Sequence, residues 1–216
     1  MVLLTPSPLQ LRSSLLRIVS RSCSASPTPQ RAHIVSSTRN WLVNVVQRLN
    51  LCPFSGSVVA NPDRLSVKVL PPSCRAADVV DEARALLAAA RHRSGGSTTL
   101  ICLPHLQSDF LGFLGLASAV QGAFDKAGLS GAVQVATFHP LYCFADSTGP
   151  DDVTNYTNRS PYPVLHLLLE EEVSRALESY KGSPEQIWKS NKMLMTKIGN
   201  DRMAEMLRDT YTTKSN

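Results

Sequence analysis

Acidic residues are missing from the whole first quarter of this chain: no Asp or Glu precedes Asp63 in a sequence of 216 residues. The first 36 residues hold Arg12, Arg17, Arg21 and Arg31 among many serines. Leu11, Leu15, Ile18 and Val19 share one arc of a helical wheel, with Arg17 and Arg21 opposite. An Arg- and Ser-rich, acid-free, amphipathic start is the composition of an organelle transit peptide. Residues 1–36 are therefore expected to be a disordered address for the mitochondrion, with the chloroplast as the alternative destination and a plain disordered tail as the alternative role. A secretory signal fits less well, because arginines interrupt every apolar run.

Other absences narrow the class. No apolar run approaches the ~18 residues of a transmembrane helix, so membrane insertion is not expected. Cysteines stand at 23, 52, 74, 102 and 143 with no CxxC or similar ligand spacing, which argues against a disulfide framework or a zinc finger and fits a reducing compartment. There is no glycine-rich phosphate loop; Gly95-Gly96 is an ordinary turn. Internal repeats are lacking as well. The formal charge of +5 is largely the address: without its four arginines the chain holds 18 basic residues against 17 acidic ones. Those that remain are scattered rather than clustered with aromatics, so nucleic-acid binding loses its support.

A whole-chain content of 43% hydrophobic and 18% charged residues suits a globular protein, with one domain expected over residues 37–212. Trp41, Leu42, Val45, Val46 and Leu49 recur at helical spacing and predict a helix over 37–50, ended by Asn50 and Cys52-Pro53. Strands are expected at 64–70, 98–103, 132–138 and 164–169. Helices are expected at 76–93, 108–127, 170–180 and 184–198, the last with Pro184 in its first turn. Strands alternating with helices imply a four-stranded parallel or mixed sheet packed with helices, an α/β sandwich. The two dozen residues between the third and fourth strands form a loop long enough to be functional or disordered; Tyr142, Phe144, Tyr156 and Tyr162 argue that it is packed.

That loop concentrates the chemistry. Between Asp152 and Glu170 the only charged residue is Arg159, set among Asn155, Asn158 and Ser160. The amides and the hydroxyl can bind an anion or simply close turns. Arg159 can pair with Asp151, Asp152 or a distant acid, or clamp a phosphate or carboxylate. His139 follows the third strand, where sites in α/β sheets form, and His166 sits within the apolar fourth strand. Either can be a satisfied structural histidine; facing one cleft, the pair can do general acid–base work. Cys52 is a nucleophile on a loop or a small apolar residue under a turn, and its place after a helix C-terminus disfavours the thiolate. Asn191 turns an amide toward the core, to meet loop backbone or to line the same cleft. A zinc site from Cys52, His139 and His166 lacks paired spacing, and Asp151-Asp152 reads as solvated, so no metal is expected and any cofactor is unknown.

Leu-Asn-Leu-Cys-Pro-Phe at 49–54, Phe-His-Pro at 138–140, Asn-Tyr-Thr-Asn-Arg-Ser-Pro-Tyr-Pro at 155–163 and Leu-His-Leu-Leu at 165–168 together resemble the uncharacterised domain-of-unknown-function family 1415. The resemblance covers about residues 38–199 and carries no established activity. It marks Asn50, Cys52, Pro53, Phe54, His139, Pro140, Asn155, Asn158, Arg159, Ser160, Pro161, Tyr162, Pro163 and His166 as matching the family's motifs. Leu169 stands where the family usually has a basic residue, which removes a second cationic group there.

Three functions compete. One is an enzyme acting on a small anionic metabolite, with Asn155, Asn158, Arg159 and Ser160 binding it, His139 or His166 as acid or base, and Cys52 as nucleophile. The second is a non-catalytic binder of such a metabolite, and the third an assembly protein whose polar strings merely build the loop. The enzyme reading expects His139, Asn158 and Arg159 to line one pocket with Cys52 near its rim.

Overall fold

The computed structural model describes residues 30–53, 55–91, 97–180 and 182–212. Residues 1–29 of the expected address, and Phe54 of the family motif, lie outside them. The first helix, α1 (Arg31–Trp41), starts six residues earlier than expected, inside the segment assigned to the address. Its buried stripe, Ile34, Ser37, Thr38 and Trp41, recurs every three to four residues, and Ile34 is only 1% exposed. The folded domain therefore takes in Arg31–Ser36.

Without a break, α1 widens into a π-helical segment, Leu42–Gln47, whose neighbouring amides reach back five residues: Arg48 N–H to the Val43 carbonyl at 3.1 Å and Leu51 N–H to Val46 at 2.9 Å. It ends at Asn50, which adopts φ 51°, a left-handed conformation asparagine tolerates. A short helix α2 (Ser55–Val59) and a 3₁₀ turn (Pro62–Arg64) lead to strand β1 (Leu65–Val69). Then follow α3 (Ala76–Arg91), β2 (Thr98–Cys102), α4 (Phe110–Ala127) and β3 (Val133–Phe138). Asp109 caps α4 by accepting from the Gly112 amide at 2.8 Å, and with glycine at that position the carboxylate lies close against the backbone it caps. Gly128 closes the same helix at φ 68°.

The expected long loop carries one 3₁₀ helix, Val153–Thr157, before β4 (Val164–Leu169). The chain ends in α5 (Glu170–Ser179), α6 (Pro184–Ile198, with a Ser183–Gln186 capping box) and an unforeseen α7 (Asn200–Asp209).

The strands form one mixed sheet in the order β1-β2-β4-β3. β1 and β2 are parallel, while β4 runs against both β2 and β3. Side-chain alternation divides the core into two layers. Ile101, Leu165, Leu167 and Leu169 meet Val79, Ala83 and Leu86 of α3 and Phe113, Val120 and Phe124 of α4. On the other face Leu100, Cys102, Ala136, Phe138 and Val164 meet Ile34, Trp41, Leu42, Val45 and Val46, together with Met195, Met203 and Met206 of α6 and α7. The result is the α/β sandwich the sequence implies. No helix among the described residues is long and apolar enough to cross a membrane.

Candidate functional site

Because β3 and β4 are antiparallel neighbours, the end of β3 and the start of β4 emerge at one edge of the sheet, and the 139–163 loop folds over that edge. Its polar residues bind mostly to main chain. Asn155 holds the loop from inside: its Oδ1 accepts from Phe144 N–H at 3.0 Å and its Nδ2 donates to the Gly149 carbonyl at 2.8 Å. Asn158 donates to Thr137 at 3.1 Å while its own carbonyl receives the His139 amide. Ser160 closes a turn onto the Tyr162 carbonyl at 2.6 Å. All three are buried. Asn191 uses its amide on loop backbone too, donating to the Leu51 carbonyl at 2.8 Å.

His139 is fully enclosed, its ring 5.0 Å from that of Phe110 and 5.1 Å from that of Phe113. The Leu106 carbonyl can only accept, so Nε2 carries the proton and donates to it at 3.0 Å; Nδ1 accepts from Leu141 N–H at 3.0 Å. Burial pushes its pKa down to about 4, against weaker upward pulls from the Leu106 carbonyl and Asp109. In this arrangement no nitrogen is left for a substrate, and the acid–base role expected of His139 has no geometry behind it.

His166 lies on the opposite face. Its register partners are Leu100 and Ala136, and its ring packs 6.3 Å from that of Phe138, all on the α1 side, whereas His139 packs against α4. The two imidazoles therefore do not share a cleft. His166 is half-buried, and burial pushes its pKa to about 4. Its Nε2 lies 2.5 Å from Thr98 Oγ1, a residue the sequence reading passed over. Nothing local could have flagged Thr98, since the two are 68 residues apart.

Arg159 pairs with neither Asp151 nor Asp152, and no carboxylate among the described residues lies in ion-pair range of it. Its Nε donates to the Tyr142 carbonyl at 3.3 Å, its Nη2 to the Pro150 carbonyl at 2.5 Å, and the guanidinium sits 4.6 Å over the Tyr156 ring. Asp152 is taken up by Thr148 and Thr154: amide and hydroxyl bonds, the Thr148 amide foremost, hold its pKa at about 2. Cys52 is half-buried in the α1-side core, its carbonyl accepting from Ser55 Oγ at 2.8 Å. It therefore belongs to the other layer from His139. A pocket joining Cys52, His139 and Arg159 is not formed, and neither is the weighed three-ligand zinc site. Among the described residues no three His, Cys, Asp or Glu side chains come together to hold a metal.

A surface groove of about 430 Å³ opens instead beyond β1, lined by Leu70, Pro71, Ser73, Cys74, Arg75 and Asp78. None of the candidate residues lines it. The π-helical segment is the other feature the sequence hid, because Leu42–Gln47 obeys α-helical spacing equally well.

No curated protein and no solved structure matches the chain. The model of the family described as "Protein of unknown function (DUF1415)" matches residues 33–205, from the first turn of α1 into α7. With most of its length inside that match, and every candidate residue with it, the chain belongs to the DUF1415 family.

Proposed function

We propose that this chain binds, and acts on, a small anionic metabolite bearing phosphate or carboxylate, with Arg159 as the anion contact. The observation that carries this reading is the setting of the guanidinium. Two main-chain carbonyls and an aromatic face orient it, yet none of them neutralises its charge. Two of its five N–H groups are engaged there, and the side chain is half-buried. A cation oriented in advance binds an anion with less ordering cost than a mobile one. The second reading, favoured by the same two carbonyl bonds, is a brace that ties Tyr142 and Pro150 to the loop.

Thermal melting in inorganic phosphate against chloride at equal ionic strength separates them. The wild type should melt higher in phosphate, by the linkage of ligand to the folded state. Arg159→Lys and Arg159→Ala should both start lower, by roughly 1–3 kcal/mol for the lost carbonyl bonds. As an anion contact, Arg159 also requires the phosphate-dependent rise to vanish in both variants, since lysine cannot reproduce the fork. An equal rise in all three proteins, or none in the wild type, leaves only the brace.

A mitochondrial setting, with the chloroplast as runner-up, is part of the same proposal and rests on the acid-free, arginine- and serine-rich start. Because α1 begins at Arg31, the proposed address is taken as residues 1–30 rather than 1–36. A reporter fused behind those thirty residues should be imported; retention in the cytosol would remove this part.

A further inference from the structure

We infer that the sheet face at His166 is a second binding site, one that takes the neutral, hydrogen-bond-donating end of a small and largely apolar molecule, with His166 Nδ1 as acceptor and Thr98 as the residue that sets it. The Thr98 hydroxyl has one proton. It donates that proton to the Leu167 carbonyl at 2.9 Å, because a carbonyl can only accept. Toward His166 the same oxygen must then accept, so the short 2.5 Å contact fixes the imidazole proton on Nε2. Nδ1 is left as a bare lone pair. Among the described residues it has no hydrogen-bond partner, and it is not one of the enclosed side-chain atoms without partners, which there are Ser37 Oγ and Ser97 Oγ. The ring is half-buried, and Nδ1 is its one uncommitted nitrogen.

His139 supplies the contrast. A histidine kept for structure uses both nitrogens on the protein, as His139 does with Leu106 and Leu141. His166 uses one and presents the other. Around it the face is apolar: Leu100 and Ala136 flank it in the sheet, Val67 and Leu168 are partly open on the same side, and Phe138 packs on the ring. Leu42, Val45 and Val46 of the π-helical segment belong to this layer, and such segments recur at functional sites. Dense protein around the ring disfavours the imidazolium, so at neutral pH the site offers an acceptor and not a charge. A lone pair in an apolar wall attracts an O–H or N–H and repels an anion. The site is therefore chemically distinct from Arg159. Two side chains stand between them: the Arg159 carbonyl binds Trp41, Trp41 packs on Phe138 at 5.2 Å, and Phe138 packs on His166.

The test is an NMR titration of the ¹⁵N-histidine-labelled full chain with phenol, a flat apolar probe carrying one donor, and with anisole, its methyl ether, which has none. In the free protein His166 should report the Nε2-protonated tautomer. Phenol should shift its Nδ1 resonance and bind about tenfold more tightly than anisole, the worth of one hydrogen bond. Both ring nitrogens of His139 should stay still. Thr98→Val, which keeps the shape and removes the acceptor, should mix the His166 tautomers and weaken phenol by a similar factor. A wild-type His166 protonated on Nδ1 overturns the inference whether or not the valine variant folds. So do phenol and anisole binding alike, phenol leaving Nδ1 unmoved, or a folded valine variant with unchanged tautomer and affinity.

Discussion

His139 has no exposed surface and both ring nitrogens engaged, so charging it means breaking the bond to Leu141 N–H and stripping an imidazolium of water. Its pKa of about 4 lies below the value near 6.5 that an unfolded histidine shows. Between those values the unfolded chain binds the extra proton, so stability falls as pH drops from about 6.5 to 4 and levels off below. For a group so enclosed the loss is up to roughly 3 kcal/mol. His166, whose pKa is also lowered to about 4, adds a smaller loss of the same sign, since it is partly open to water. His139→Gln keeps a donor for Leu106 and loses the acceptor for Leu141 and the ring between Phe110 and Phe113. It should cost about 2–4 kcal/mol at pH 7 and flatten the slope of melting temperature against pH between 6.5 and 4. A slope identical to the wild type's would show that His139 is not the group that titrates.

At the scale of elements, the turns of the 139–163 loop close on their own backbone, and one buried amide ties two of them together. Asn155 satisfies Phe144 N–H and the Gly149 carbonyl at once, and Asn200 of α7 adds a bond to the Asp151 carbonyl at 2.9 Å. Asn155→Ala should therefore destabilise by about 2–4 kcal/mol. Amide hydrogen exchange should then speed up over residues 144–152 while the strands stay protected; uniform acceleration would mean that the loop and sheet open together. The sequence made the strands legible, because β-branched and leucine runs between turn residues have few other uses. It also disclosed that Asn155, Asn158 and Ser160 can close turns, and the structure shows them bonded to main chain. Two things stayed hidden. The first turns of α1 continue the acid-free, arginine- and serine-bearing composition of the segment before them and bury only Ile34 among their apolar residues, so the helix read as address. In α7 Met203 and Met206 are diluted by Asp201, Arg202 and Glu205, and an amphipathic stripe that thin shows only when something packs on it.

The site question was decided at the scale of the whole molecule. His139 and His166 are both near strands and both flanked by apolar residues; which face each takes depends on register, and a shift of one residue would exchange them. No local pattern records that. Nor does any local pattern place β4 between β2 and β3, although this insertion is what puts Thr98 beside His166. The insertion has a further consequence, for the order in which a growing chain can fold. β2 and β3 run in the same direction but never touch through a ladder, and the strand that joins them is the last to be made. Until Val164–Leu169 has left the ribosome, β3 has no neighbour and the outer half of the sheet has no hydrogen-bonding partner. Only the β1-β2 pair can form early, with α3 across it. The β2-β4 and β4-β3 ladders wait for those six residues, and α6 and α7, made after them, can only then close over the α1-side face of the sheet.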